Sequence, residues 1–164
     1  MRRVVLNYPT INVCSSDRFL AVSTQTNAHN SGFNFITKYP RADYICIDEP
    51  EARLAAHDRD SPIEEVMRKL AKDRCNKFIV THGRHGAYGL QNGKFFHCEA
   101  FTNQVVDTMG AGDAFFAVTA PMSKTGDIED LLRIGNAAGA LKTQILGHRE
   151  SVTKEKLIDF LRTH

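Results

Sequence analysis

Between Val105-Val106 and the apolar run AFFAVTA stands Asp107-Thr108-Met109-Gly110-Ala111-Gly112-Asp113, two glycines and two aspartates inside an otherwise apolar stretch. The stretch reads as a loop entering a helix that covers roughly Gly112 to Ser123. Glycines at 110 and 112 take away the side chains that would keep a ligand from the backbone. The first N–H groups of a helix are unpaired and carry the positive end of its dipole, so this is an anion site. Asp113 beside it would repel a phosphate, by a few kcal/mol for unit charges about 4 Å apart at a surface-like dielectric. The repulsion becomes useful if a hydroxyl lies between the two. The carboxylate then takes the hydroxyl proton while backbone N–H groups stabilise charge on the transferred group, an arrangement suited to phosphoryl transfer to an alcohol.

The remaining chain supplies an α/β frame for that helix. Phe19–Val22 reads as a buried strand, Asn30–Lys38 as a short helix, and Tyr44–Ile47 as a second strand running into the acidic Asp48-Glu49-Pro50-Glu51. Ser61-Pro62 gives a cap and a first-turn proline, and Ile63, Val66, Met67 and Leu70 recur at helical spacing, so a helix is predicted from about Pro62 to Asp73. Phe78–Val80 is an apolar strand stopping at Gly83, and Tyr88–Leu90, Asn92-Gly93 and Phe95-Phe96 form a hairpin. Late helices follow over Ile128–Ile145 and Thr153–Leu161, the last capped by Thr153. The 164 residues, 42% hydrophobic, fit one domain, without repeat or linker.

Composition removes several classes of function. Twenty-one basic residues against 19 acidic leave a net charge of +2, and no Lys/Arg block exists to grip nucleic acid. No stretch of 18 apolar residues would cross a membrane, and the first residues hold no signal-peptide apolar region. Cysteines 14, 46, 75 and 98 form no CxxC pair, so neither zinc nor a disulfide framework is indicated and a reducing, cytoplasmic setting fits. Cys46, inside YICI, reads as a small buried hydrophobe, and His82 and His85 read as exposed turn residues. A nicotinamide-binding domain would need Gly-x-Gly-x-x-Gly after its first strand, whereas Gly-Ala-Gly here comes late and is followed by Asp.

The string DTMGAGDAFFA closely resembles the signature of the ribokinase-like (phosphofructokinase-B type) carbohydrate kinases. VTHGRHGAYGL, residues 80–90, is similar to that family's Thr-x-Gly-x-x-Gly strand and turn, which places Thr81, Gly83 and Gly86 beside the nucleotide. DEPE resembles Asn-x-x-Glu; Glu51 then helps organise magnesium, mostly through water, while Asp48 departs from the pattern by adding a charge and losing an amide donor. GNAAGALKTQILG, residues 135–147, resembles the late helix and loop on the adenine side, with Asn136 near the base. Residues 24–55 resemble kinases related to the heptose-phosphate kinases. The resemblance implies a three-layer ribokinase-like fold with a mostly parallel sheet, and ATP, Mg2+ and possible K+ near Asp107 as cofactors. It implies a sugar or sugar phosphate as acceptor, Asp113 as base, and Gly110, Ala111 and Gly112 as the cradle for the phosphoryl group. It also leads us to expect residues 1–164 to be the C-terminal, nucleotide-binding half of a kinase, without the N-terminal sugar-binding and lid half. An incomplete catalyst follows, pairing either with that half or with itself as a homo-oligomer. The alternative is a nucleotide-binding or interaction module without catalysis.

Overall fold

A computed structural model describes residues 18–26, 34–101, 107–145 and 151–164. One sheet runs through it in the order β1 (Ala21–Val22), β2 (Tyr44–Asp48), β3 (Lys77–Thr81), β4 (Ala87–Gln91) and β5 (Lys94–Cys98). Strands β1 to β3 are parallel, and β4 and β5 are antiparallel to their predecessors. The connections explain the change. Two helices, α1 (Glu49–Ala56) and α2 (Ile63–Ala71), fill the β2–β3 crossover that a parallel pair requires. Asn92 and Gly93, at φ 50° and 77°, make the tight turn that brings β5 back along β4.

Alternation along the strands builds two cores. Ile45, Ile47, Phe78 and Val80 face α1 and α2, where Ala52, Val66, Met67 and Leu70 are buried. Tyr44, Cys46, Ile79 and Ala87 point to the other face, against Phe115 of α3 (Ala111–Met122) and Ile128, Leu131 and Leu132 of α4 (Ile128–Thr143). The result is the three-layer α/β/α arrangement. Polar ties fix α3 and α4 on the sheet. The Thr119 hydroxyl donates to the Phe115 carbonyl at 2.8 Å, so the Tyr44 hydroxyl is the donor in its 2.7 Å bond to Thr119. Lys77 Nζ donates to the carbonyls of Ser123 and Gly126 at 2.7 and 2.6 Å, closing the C-terminal end of α3. Gln91 Oε1 accepts from Ile128 N at 2.8 Å and so caps α4 from β4.

Several boundaries differ from the sequence expectations, for local reasons. The first strand keeps only Ala21–Val22, because the Asp43 side chain takes Leu20 N at 2.7 Å where a ladder bond would stand, and Phe19 is left 41% exposed. Of the helix expected at Asn30–Lys38, a single 3-10 turn over Ile36–Lys38 is found, and 30–33 lie outside the described residues. Pro62 is itself the N-cap of α2, since Ser61 N is held by Asp58 Oδ1 at 3.1 Å and Ser61 does not cap. Helix α4 stops at Thr143, and α5 covers Lys154–Thr163 with Thr153 Oγ1 accepting from Lys156 N at 3.3 Å. No helix among the described residues is long and apolar enough to cross a membrane.

Candidate active site

Ligands of α/β sheets collect outside the carboxyl ends of parallel strands, and here that edge is made by β2 and β3, with Asp48 and Thr81 in register. At the end of β2 the chain turns directly into α1 through a capping box. Asp48 Oδ1 accepts from Glu51 N at 2.8 Å, and Glu51 Oε2 accepts from Asp48 N at 3.3 Å. Thr26 N donates to the other Glu51 oxygen, Oε1. Burial, followed by the neighbouring charge of Asp48, pushes the Glu51 carboxyl up to about 7, against the lowering effect of these N–H donors. Partial loss of solvent also raises Asp48 above the ordinary aspartate range.

At the end of β3, Thr81 and His82 lead into a 3-10 turn over Gly83–His85. His82 Nε2 lies 2.6 Å from Glu49 Oε2, which ties this turn to the start of α1. His82 is half-buried, where an exposed turn residue was expected, while His85 is exposed. Gly86 has φ +83°, and a Cβ there would meet the Cys98 carbonyl and stand 2.7 Å from Ala100 N. Only glycine lets the turn approach the chain leaving β5 so closely. Asn136 Nδ2 donates to the carbonyls of Cys98 and Glu99 at 2.9 and 3.2 Å, so its amide protons hold this same segment against α4.

The start of α3 is the third wall. Asp107 N donates to Thr143 O at 3.0 Å, and its Oδ1 accepts from Met109 N at 2.9 Å, which fixes the loop before the helix. Gly110 is the N-cap at φ 80°, a left-handed conformation natural to glycine, and no side chain caps the helix. Gly112 is different. A Cβ there would meet nothing within 4 Å, and its backbone is ordinary helix. Asp113 follows in the first turn and is exposed.

These walls enclose a cleft of about 600 Å³, a size usual for small-molecule sites. Thr81, Gly83, Gly86, Ala111, Gly112 and Asn136 line it, six of the residues singled out from the sequence. Gly110 and Asp113 flank Ala111 and Gly112 without lining it, Asp107 sits in the preceding loop, and Glu51 lies behind Asp48, which does line it. Phe115 is a lining residue that the sequence did not point to, and Gly139, Ala140 and Thr143 fall in the 135–147 segment placed on the adenine side without having been singled out. The three- and four-residue spacing of 136, 139, 140 and 143 marks one face of α4 and was the available signal. Among the described residues, no group of three His, Cys, Asp or Glu side chains is placed to hold a metal ion.

Residues 34–155 match the model of the pfkB family carbohydrate kinases. An ATP-dependent ribose-1-phosphate kinase of Halopiger xanaduensis is 34% identical over 113 residues, covering 66% of this chain and 38% of that one. The ribokinase of Staphylococcus aureus is 30% identical over 120 residues, covering 67% of this chain and again 38% of the relative. The solved structure of Arabidopsis thaliana ribokinase complexed with ribose and ATP superposes with a TM-score of 0.66 at 25% identity, over 74% of this chain and 41% of that one. This chain thus spans about two fifths of the length of the proteins it resembles. A family match that runs from Asn34 into the first turn of α5, through all three walls of the cleft, makes this chain a member of the pfkB family of carbohydrate kinases.

Proposed function

We propose that this chain forms the nucleotide side of a kinase site that transfers the γ-phosphoryl group of ATP to a hydroxyl of a sugar or sugar phosphate. One observation carries the reading: the start of α3, closed by no side-chain cap, opens at Ala111 and Gly112 into the cleft. The Gly112 N–H suits a phosphate, and the empty space over Gly112 leaves room for one, whereas Ala111 N donates to Thr108 O at 3.3 Å. The base lies between the Thr81–Gly86 turn and the small face of α4 at Asn136, Gly139 and Ala140. Asp113 takes the proton of the acceptor hydroxyl as its oxygen bonds to phosphorus, the bond from phosphorus to the bridging oxygen breaks, and ADP leaves. Magnesium, when bound with the nucleotide, neutralises charge on the phosphates, and the carboxylates at the end of β2 are the oxygen donors this chain offers it. A monovalent cation beside the Asp107 loop is part of the proposal on the strength of family resemblance.

The acceptor contacts and lid are proposed to lie outside residues 1–164, in a longer chain or a second copy, which the two-fifths span of the relatives supports. The same span leaves a second reading, a non-catalytic nucleotide-binding or interaction module derived from a sugar kinase. The resemblance of residues 24–55 to kinases related to the heptose-phosphate kinases is part of the proposal and leaves the acceptor open between a sugar and a sugar phosphate. The test is Asp113→Asn in the completed kinase. Sugar-dependent ADP release should fall about 10²-fold or more, the usual range for loss of a general base, with nucleotide binding kept or tightened. Near-normal turnover would move the base elsewhere.

A further inference from the structure

The sequence reads His82 as an exposed turn residue, yet in the fold its ring is where three segments meet. Its Nε2 lies 2.6 Å from Glu49 Oε2 in the first turn of α1, and its Nδ1 lies 3.4 Å from the Tyr88 hydroxyl of β4. Glu49 is itself aimed. Arg53, one helical turn on, donates from Nε to Glu49 Oε1 at 2.8 Å, and from Nη1 to the carbonyls of Arg59 and Ser61 at 3.0 and 2.9 Å, which anchors the pair to the connection between α1 and α2. Resting on the kinase reading above, we propose that the Glu49–His82 ion pair is a positioning device of the nucleotide site: it holds the Gly83–His85 turn at the distance from α1 that the nucleotide needs, and binding is tighter when His82 is protonated.

The place of the pair decides what it controls. Asp48 and Thr81 are in register at the ends of β2 and β3, and Glu49 and His82 are the next residue on each, so the pair bridges the two strand ends where the cleft opens. Asp48 and Pro50 line one side of that opening, His82 and Arg84 the other. The remaining ties of the turn run to β5, where His97 Nε2 lies 2.9 Å from the His85 carbonyl and Gly86 packs on Cys98–Ala100. A turn released from α1 therefore widens the cleft. Histidine changes charge between pH 5 and 8, and a charged donor holds a carboxylate about twice as strongly as a neutral one. Arg84 and His85, the latter 4.7 Å from His82 between ring centroids, belong to the same turn and move with it. Tyr88 is neutral, and His97 stacks on its far side at 4.8 Å. Glu49, with Asp48 behind it, is thus the charge whose attraction for His82 depends on where the turn sits.

The test is calorimetric titration with ADP and magnesium at about pH 6 and about pH 8.5, on wild type, His82→Gln, Glu49→Gln and the double variant. ADP and Glu51, whose carboxyl is pushed up to about 7, titrate over the same range in all four chains, so each variant is read against wild type at the same pH. At the lower pH each single variant should bind ADP about three- to tenfold more weakly than wild type, and the double variant no more weakly than the singles. At the higher pH the gap should close to within about twofold. A gap that is equal at both pH values makes the pair a plain structural tie, and losses that add in the double variant make the two residues independent; either result overturns the proposal. Should His82→Gln fail to fold, the pH profile of Glu49→Gln decides alone. ADP binding that none of the variants changes overturns this proposal and leaves the kinase reading intact, whereas a wild-type chain that binds no ADP at either pH overturns both.

Discussion

Glycines 86, 110 and 112 all stand at the cleft, yet each is glycine for a separate reason. From the letters alone, Gly110 and Gly112 serve alike to let a ligand near the backbone. In the fold they differ: Gly110 supplies a left-handed N-cap, and Gly112 supplies empty space in an ordinary helix. Gly86, matched from a family motif as a nucleotide neighbour, is also held by its packing on Cys98–Ala100. Gly86→Ala should cost about 2–4 kcal/mol, from a left-handed backbone and a side chain driven into main-chain atoms, measured by urea unfolding. Gly112→Val should leave stability within about 0.5 kcal/mol of wild type, since its side chain enters open space and valine is not worse than glycine in a helix. That contrast could not be read from sequence, because backbone angles and the third wall of a cleft are set by residues far away along the chain.

Elements were legible where one local rule decided them. Strands β2 and β3 announce themselves by continuous apolar runs, the hairpin by Asn92-Gly93, and α5 by its Thr153 cap. The rule failed where a side chain from elsewhere replaced a backbone bond, as Asp43 does at Leu20. Helix α4 was half legible. Its Gly135 packs, with the Phe115 ring 2.6 Å or less from where a Cβ would stand. The adjoining face, Asn136, Gly139, Ala140 and Thr143, instead lines the cleft, a face that the three- and four-residue spacing marks but does not by itself assign to a ligand. Asn136→Ala should lose both bonds to the Cys98 and Glu99 carbonyls and cost about 1–3 kcal/mol in thermal unfolding. Nucleotide binding should weaken with it, because the wall those bonds hold is the one proposed to carry the base. A variant with unchanged melting would remove Asn136 from that role.

Across the fold as a unit, one core encloses Cys46 and the other partly covers Cys75. Burial pushes the thiols of Cys46 and Cys75 up to about 12, so at pH 8 both stay protonated and poorly nucleophilic. Iodoacetamide should leave them unmodified in the folded chain and label them once denaturant is added, counted by mass spectrometry. Early labelling of Cys46 would mean that the sheet opens beneath α3. Among the described residues the sheet ends at the short β1 with the exposed Phe19 beside it, the edge proposed here as the place where a second copy adds. Sedimentation should accordingly show self-association that rises with concentration.

Every role proposed for the cleft depends on the open start of α3 being a nucleotide phosphate site, and amide NMR titration with ADP and magnesium probes that start residue by residue. Shifts are predicted at Ala111, Gly112 and Asp113, along Thr81–Gly86 and along Asn136–Thr143, with the same titration silent in Gly112→Val, whose free spectrum otherwise matches wild type. Spectra that stay flat to millimolar ADP, or a Gly112→Val chain that responds as wild type does, would contradict it.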